Sequence, residues 1–349
     1  MKNIILSAAI AAICAAPAVA TAADHNLYGQ LRYSFNSVDD VNPLAGTNND
    51  GLSGADNVSL FGLKGSVGDD DLKAFYHLQT GAPSDNNANT TEKGNKEAGN
   101  AFNQRFFFAG LQGAFGKVAY GRMTNAYKFD GFKLDPFYNM SHVGAGGTFK
   151  TGGASYGLSN ATNGFTDNAL QYSSPAFNGI KVNAGVYIDD SNEDDHGTSI
   201  GAKWSGNGIN VGIQFASNDT TAATMPGIVA DGDALRIHGG YKAKNWSAGL
   251  SYETVDTDAN AEADYLYLVG RYNVSNKTEL IAAIGSVDPD TNSSQAGAEG
   301  TGFQLGVFQT VVPKTQLYVT YGQASLDATG AEDPSVISVG AIHKFGFGG

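Results

Sequence analysis

The sequence predicts an all-β fold, a closed antiparallel barrel of sixteen strands that crosses a membrane. About sixteen stretches of some ten residues alternate apolar with polar side chains, and the connections between them alternate between long and short. This pattern is typical of a transmembrane β-barrel, in which alternate side chains face lipid and the interior. After residue 22, no stretch offers the 18 or so consecutive apolar residues of a membrane-spanning helix.

The stretch from Asn26 to Asn36 illustrates the alternation. Its odd positions are apolar or glycine, and its even positions are polar. Successive side chains of a strand point to opposite faces, so one face suits lipid and the other water. The stretches from Arg236 to Lys242 and from Asp71 to Gln79 repeat the design. One such stretch is also typical of a soluble sheet, but about sixteen in series favour a barrel.

The amino terminus predicts export. Lys2 precedes an apolar run from Ile4 to Ala16, and Ala20 to Ala22 form an A-x-A site. We expect residues 1–22 to be a signal peptide, cleaved after Ala22 or Ala23, and residues 23–349 to form one barrel domain. A soluble periplasmic or secreted protein is the alternative.

The only cysteine, Cys14, lies within the predicted signal peptide. Cleavage would leave a chain without a disulfide or a thiolate metal site. Ile13 is bulky where a lipoprotein signal takes a small residue, so a lipoprotein is disfavoured. The chain holds 46 glycines, 16 tyrosines and 19 phenylalanines, and its mean hydropathy is slightly negative. This composition suits a barrel with a polar interior and aromatic girdles.

The connections set the number of strands. Eight long connections alternate with seven short turns, which requires sixteen strands and places both termini on the short-turn, periplasmic side. Closure would then pair the strand beginning near Asn26 with the strand ending near Phe345. The short turns are Gly68–Asp71, Gly113–Lys117, Pro175–Gly179, Gly206–Gly208, Lys244–Trp246, Val274–Lys277 and Val312–Thr315. The long connections are Asp39–Asp56, Gly81–Asn100, Thr124–Thr166, Asp189–Gly197, Asn218–Gly232, Asp256–Ala263, Asp288–Gly300 and Asp327–Pro334.

The third long connection, Thr124–Thr166, is unlike the others. It spans 43 residues, and connections of that length are usually functional or disordered. Its aromatic side chains favour packing over solvent exposure, and a sixteen-stranded barrel encloses a lumen too wide for side chains alone to fill. We therefore expect this third extracellular loop to fold into the lumen. The aromatic and large apolar residues are Phe129, Phe132, Leu134, Phe137, Tyr138, Met140 and Phe149.

Several fragments resemble one known family, the trimeric general porins of Gram-negative bacteria, in the branch found in beta- and gammaproteobacteria. Their order and spacing cover nearly the whole chain after the signal. The fragments are Leu27-Tyr28-Gly29, Phe61-Gly62-Leu63-Lys64-Gly65, Gly110-Leu111, Phe115-Gly116-Lys117-Val118, Gly121-Arg122, Asp135-Pro136-Phe137, 168–175, Ser338-Val339-Gly340 and His343-Lys344-Phe345.

The chain also departs from the family. Leu60 stands where the family often has a basic residue, so one charge of the lumen is absent there. Family members usually stop at the terminal phenylalanine, which resembles a signal for the outer-membrane assembly machinery, whereas Gly346–Gly349 follow Phe345. Either Phe347 takes that role or recognition tolerates the short tail.

The resemblance implies a homotrimer in the outer membrane with a water-filled pore for passive diffusion of small hydrophilic solutes. The loop Gly81–Asn100 is similar in position to the loop that latches onto a neighbouring subunit. Acidic residues of the inserted loop would face basic residues of the wall and set up a transverse field that disfavours apolar solutes. Asp130 and Asp135 are the acidic candidates, and Arg32, Arg105, Arg122, Lys64 and Lys73 are the basic candidates.

Each candidate has a plainer alternative. Arg32 could line a vestibule. Arg122 has the parity of lipid-facing residues, so only a bulge or the end of the strand would turn it inward. Asp135 could cap the turn that Pro136 begins. Lys128 and Lys133 reduce the negative charge of the loop.

Acidic side chains outnumber basic ones by 34 to 21. Many lie in predicted extracellular loops such as 189–195, which predicts a mild preference for cations. These loops could share calcium or magnesium with the phosphates of lipopolysaccharide, or be simple solvated charge. The residues Asp256, Asp258 and Asn260 copy the start of an EF-hand, but Ala261 replaces its glycine, so we predict no protein metal site and no cofactor.

Other functions are less well supported. Gly153–Gly157 satisfies G-x-S-x-G, but a nucleophile elbow needs a strand before it and a helix after it. We therefore predict no enzyme activity, and so acidic a chain disfavours nucleic-acid binding. The main alternative is a substrate-specific channel, for example for sugars, with Phe129, Phe132 and Tyr138 as an aromatic track. A structural or adhesive surface protein would show no conductance.

Overall fold

The computed structural model describes residues 24–39, 41–42, 47–48, 51–82, 103–128, 133–140, 145–146, 156–159, 165–188, 196–218, 231–257, 262–290, 299–327 and 333–347. The predicted signal peptide 1–22 and its cleavage site lie outside these residues. Within them, no helix is both long enough and apolar enough to span a bilayer.

Sixteen strands form one closed antiparallel barrel, as the sequence predicted. The second strand consists of two consecutive segments. The strands are β1 (Asp24–Asp39), β2 (Gly51–Asp56 and Leu60–Gly68), β3 (Leu72–Gly81), β4 (Asn103–Gly113), β5 (Gly116–Met123), β6 (Thr166–Ser173), β7 (Ile180–Ile188), β8 (His196–Gly206), β9 (Ile209–Asn218), β10 (Gly232–Lys242), β11 (Trp246–Thr257), β12 (Ala263–Asn273), β13 (Thr278–Pro289), β14 (Gly300–Val312), β15 (Thr315–Leu326) and β16 (Ser335–Phe347).

The barrel closes between its first and last strands. β1 pairs antiparallel with β16 over thirteen residues, from Leu27 opposite Phe347 to Asp39 opposite Ser335. The predicted closing pair is therefore confirmed. Because each remaining strand also has a neighbour on both sides, no strand edge of the described barrel faces lipid, where unpaired backbone groups would be costly.

β2 is interrupted between its two segments. Val58 has a φ of 72°, and the backbone bulges away from β1. The amide of Asn57 donates to the carbonyl of Arg32 at 2.7 Å, and Ser59 Oγ accepts from the amide of Arg32 at 3.0 Å. The sequence placed residues 51–56 in the first long connection, whereas Gly51–Asp56 already pairs with β1.

The short turns confirm the predicted alternation of connections. Two of them are Asn-Gly pairs in which both residues have positive φ, namely Asn178-Gly179 and Asn207-Gly208. This is the backbone of a type I′ hairpin turn, which matches the twist of the strands that it joins. These turns define the short-turn end of the barrel, and the opposite end is the long-loop end.

The two faces of the barrel differ in chemistry. Leucine, isoleucine and valine side chains on one parity are about half exposed, as Leu250, Leu268 and Ile284 are. The opposite parity faces inward and is polar over most of β1. On β9 to β16, however, the inward face also carries buried apolar residues such as Val255 and Tyr267. These apolar residues are covered by parts of the segment 124–166, which also forms a short parallel pair between Ala145–Gly146 and Tyr156–Gly157.

Candidate pore constriction

Described parts of the segment 124–166 pack against the inward face of β11 to β16. The Phe137 side chain is fully buried, and its ring centroid lies 6.3 Å from that of Phe308 on β14. Leu134 approaches β11 at Gly249. Leu134, Phe137 and Met140, three of the apolar residues that the sequence singled out in this segment, therefore have partners on the wall. Phe129, Phe132 and Phe149 lie outside the described residues. The cluster contains Phe137, Met140, Leu158, Tyr267, Val269, Ile281, Ala283, Phe308, Tyr318 and Ile342.

A buried ion pair fastens both ends of this segment to the wall. Arg236 on β10 and Glu253 on β11 are directly opposite each other, and their Nη2 and Oε2 atoms are 2.8 Å apart. Tyr127 Oη donates to Glu253 Oε1 at 2.9 Å. The amide of Ser159 donates to Glu253 Oε2 at 3.0 Å. One carboxylate therefore binds residues 32 positions apart in sequence, and we call these four residues the loop clasp.

Arg236 adds further contacts to the clasp. Its Nη1 donates to the carbonyl of Tyr127 at 3.2 Å, and its guanidinium carbon lies 4.4 Å from the centroid of the Tyr127 ring. Burial and the neighbouring Glu253 carboxylate raise the pKa of Tyr127 well above its usual value. Tyr127 therefore remains a proton donor to Glu253 over the whole physiological pH range.

Asp135, one of the two acidic candidates, has the capping contact that its sequence context suggested. Its Oδ1 accepts from the amide of Phe137 at 2.8 Å. The same oxygen accepts from Tyr267 Oη of β12 at 3.2 Å, so the carboxylate joins the loop to the wall. Asp130, the other candidate, lies outside the described residues.

Two of the basic candidates lie close together, around the ring of Phe165. The guanidinium carbons of Arg105 and Arg122 are 4.8 and 5.7 Å from its centroid, and the Lys128 ammonium is 5.0 Å away. Phe165 also packs edge-on against Phe106. A cation over the face of an aromatic ring is stabilised by the quadrupole of the ring. Phe165 therefore holds three cations of β4, β5 and the loop in one small region.

Arg122 does not follow the outward parity that strict alternation predicts for it. Gly121 has a φ of +134°, the register with β6 shifts between Thr166 and Ala169, and β5 ends one residue later. Arg122 is only 9% exposed, and its Nη1 lies 2.8 Å from Asp167 Oδ2. The irregularity that the sequence required for an inward turn is present.

Arg32 and Lys64 lie elsewhere on the inward face, and Lys73 lies at one end. Arg32 on β1 has Tyr318 and Asp135 as electrostatic neighbours, which puts it beside the inserted segment. Lys64 lies over the ring of Tyr28, which accepts from Gln79, and Gln79 in turn accepts from Arg105. Lys73 is at the short-turn end, 3.2 Å from Asp70, so it is not brought together with the others.

The sequence did not single out Glu253, its partner Arg236, or Phe165 as members of a site. Glu253 does carry a signal, because it is an acidic residue on the inward parity of a strand whose neighbouring inward residues are apolar or small. Such a charge needs a partner, and the antiparallel register of adjacent strands supplies Arg236.

Comparison with known proteins agrees with this architecture. A family model described as Gram-negative porin matches residues 8–329. A curated relative, the monosaccharide porin of Halomonas sp., is 25% identical over 291 residues, covering 77% of this chain and 75% of the relative. The anion-selective porin from Comamonas acidovorans has a TM-score of 0.69 at 20% identity, covering 93% of this chain and 100% of that chain. OmpT of Vibrio cholerae in its trimer form has a TM-score of 0.68 at 18% identity, with 93% and 100% covered.

The structural matches are below 25% identity and support the fold alone, whereas the family match covers most of the sequence. The fold, a closed barrel with an apolar outer face, is the one that spans a Gram-negative outer membrane with strands. The chain therefore belongs to the Gram-negative porin family, and it is a multi-pass channel protein of the outer membrane.

Proposed function

We propose that this porin lets small hydrophilic solutes and ions diffuse passively across the outer membrane, with the short-turn end and both termini in the periplasm. The main support for the proposal is that one side of the barrel's inward face is covered by the inserted segment and the other side, within the described residues, is not. The described residues of the inserted segment between 134 and 158 pack on β11 to β16, whereas β1 to β3 present charged and polar side chains such as Gln30, Lys64 and Gln79. A water-filled path between the two is the arrangement that a diffusion pore needs.

The narrowest part of this path lies, on this proposal, between the loop and β1 to β5. Arg105 and Arg122 would form its basic side, with Arg32 and Lys64 beside them. Asp135 would contribute a negative charge from the loop. Separated charges across a narrow slot orient water and polar solutes. Asp130 stays an additional prediction for the loop side.

Planar-bilayer recording tests the proposal directly. We expect a solute-independent conductance that is linear in voltage at high salt, and we expect insertion in steps of three equal units because we also propose a homotrimer. The trimer form of the Vibrio cholerae neighbour supports that assembly. Absence of any conductance would refute the diffusion pore, and single steps would refute the trimer.

The substrate-specific channel remains the second candidate, because the Halomonas relative is named as a monosaccharide porin. The same recordings separate the two. Saturable block of the current by millimolar glucose would favour the specific channel, whereas an unchanged current supports general diffusion.

We also propose the mild cation preference that the charge balance predicts. It rests on loop residues such as 189–195, which lie outside the described residues, and the basic wall opposes it. Fixed charges act over a Debye length of about 10 Å at 0.1 M salt. The preference should therefore be clearest when the dilute solution bathes the long-loop side.

Replacing Arg105 with glutamine should raise the cation-to-anion permeability ratio about tenfold, because the permeability of cations rises and that of anions falls by about threefold each. A unit charge some 6 Å from a permeating ion contributes roughly 0.7 kcal/mol in water-like surroundings. The measurement is the reversal potential under a salt gradient, with Lys277→Gln in a short turn as the matched control. An equal shift of the reversal potential in both variants would show that Arg105 does not line the constriction.

A further inference from the structure

Basic side chains surround the short-turn end of the barrel on its inward face. On β2, β3 and β5 these are Lys64, Lys73 and Lys117, and Lys117 lies over the inward-facing ring of Phe75. Each has the parity of a buried inward residue on its own strand, as Lys117 has the parity of Ala119.

The same feature continues around the rest of the barrel. Lys181 on β7, Lys203 on β8, Lys242 on β10, Arg271 on β12 and Lys344 on β16 all have the inward parity of their strands. Lys181 and Lys203 are directly opposite each other across β7 and β8. Like charges in that position destabilise a sheet, so sheet stability does not explain them. We call the eight residues the basic ring.

Few acidic side chains offset the basic ring. On the same face and at the same end, the described strands contribute Asp24 and Glu279, and Glu279 lies 3.5 Å from Arg271. The acidic residues of the first short turn, 69–71, are matched in number by the turn lysines at 244, 277 and 314. The described inward face therefore has a clear excess of positive charge at this mouth.

The long-loop end has the opposite charge. Asp233 on β10 is opposite Asp256 on β11, and the row continues through Glu262, just before β12, to Asp290, just after β13. The pKa of Glu262 is raised because its protonated form can donate a hydrogen bond to the Asp290 carboxylate and because Asp256 is negatively charged. They have the outward parity of Leu250, so this negative charge sits on the outer rim.

We propose that the basic ring gives the channel an electrical polarity, so that it conducts ions better in one direction than in the other. This inference rests on the proposed diffusion pore and on its orientation in the membrane. The ring concentrates anions and depletes cations at its end of the pore by its potential, while the rest of the pore keeps the mild cation preference proposed above. Anions therefore carry a larger share of the current at the short-turn end of the path than at the long-loop end.

The sign of the asymmetry follows from that difference. With the long-loop side positive, anions enter through the basic ring faster than the rest of the pore removes them, so ions accumulate and conductance rises. With the opposite voltage, anions leave through the ring faster than they are supplied, so the lumen is depleted. We expect the larger current when the long-loop side is positive.

The experiment is a current–voltage curve in planar bilayers at about 0.1 M and 1 M salt. The ratio of currents at opposite voltages should be roughly 1.5 or more at the lower concentration and close to one at the higher, where the Debye length falls to about 3 Å. Orientation is read in the same membrane from Ser247→Cys, an inward residue beside Lys242, by adding a bulky impermeant maleimide to one side.

Matched variants isolate the basic ring. The triple substitution Lys203→Gln, Lys242→Gln, Lys344→Gln should bring the ratio close to one, and the corresponding three arginine substitutions should preserve it. Glutamine at Lys244, Lys277 and Lys314 removes the same charge from the turns and should leave most of the asymmetry. A symmetric wild-type curve, the reverse sign, or equal effects of the two glutamine triples would overturn the inference. Absence of conductance would instead refute the diffusion pore itself.

Discussion

Replacing Glu253 with alanine is expected to release both ends of the inserted segment and to destabilise the barrel by about 3–5 kcal/mol. The substitution leaves Arg236 buried without its counter-charge, a change that usually costs this much. It also removes the acceptor of Tyr127 Oη and of the Ser159 amide. The current should become noisy, because a segment that filled a fixed part of the lumen would now fluctuate.

A double variant separates the two effects of this substitution. Arg236→Met with Glu253→Leu replaces the ion pair by apolar residues of similar size, which is often neutral or stabilising. Barrel stability, measured by thermal unfolding in detergent, should recover, whereas current noise and tryptic cleavage at the buried Lys128 should persist. If the double variant is as quiet and protease-resistant as the wild type, the loop clasp does not hold the segment.

Replacing Gly285 with valine is expected to displace the second end of the same segment. A Cβ atom on Gly285 of β13 would lie 2.7 Å from the carbonyl carbon of Tyr156 and 2.9 Å from Cα of Gly157, and still closer to the Tyr156 oxygen. These are backbone atoms, which cannot rotate away. Gly157 itself has a φ of +106°, which restricts the backbone to glycine there. Overpacking of this kind typically costs about 1–3 kcal/mol.

The chain offers a close control for this variant. A Cβ atom added to Gly270 on β12 would meet no atom of the described residues within 4 Å. Gly270 has the outward parity, so Gly270→Val adds an apolar group to the lipid face. We expect Gly270→Val to conduct as the wild type does and Gly285→Val to show increased noise and cleavage at Lys128. Equal behaviour of the two variants would show that the close approach at Gly285 does not position the segment.

The barrel could be predicted because the signals for its strands and turns lie within short stretches of the sequence. Alternation with a period of two reports which side chains meet lipid, and Asn-Gly pairs such as Asn207-Gly208 report where the chain reverses. These signals are confirmed across sixteen strands. The start of β2 at Gly51 was missed, because the stretch 51–56 has no apolar alternation and pairs with β1 mainly through its backbone.

The candidate site was harder to predict because it depends on contacts between distant residues. Phe165 attracts Arg105, Arg122 and Lys128, and no spacing in the sequence reports that convergence. The inward turn of Arg122 follows from the positive φ of Gly121, which alternation alone cannot show. Glu253 would have been found by asking which charges lie on the inward parity next to apolar neighbours. The buried inward residues Val255 and Tyr267 were a similar unused signal, since they need a cover.

The seam between β1 and β16 has a consequence for biogenesis. Its partners, such as Leu27 and Phe347, are separated by nearly the whole chain, so the contact order is high and the entropy of loop closure must be overcome before the seam forms. Until the last thirteen residues of the seam are synthesised, the nascent chain has two open edges that are prone to aggregate. Folding of this porin should therefore be slow, post-translational and dependent on chaperones that hold the unfinished sheet.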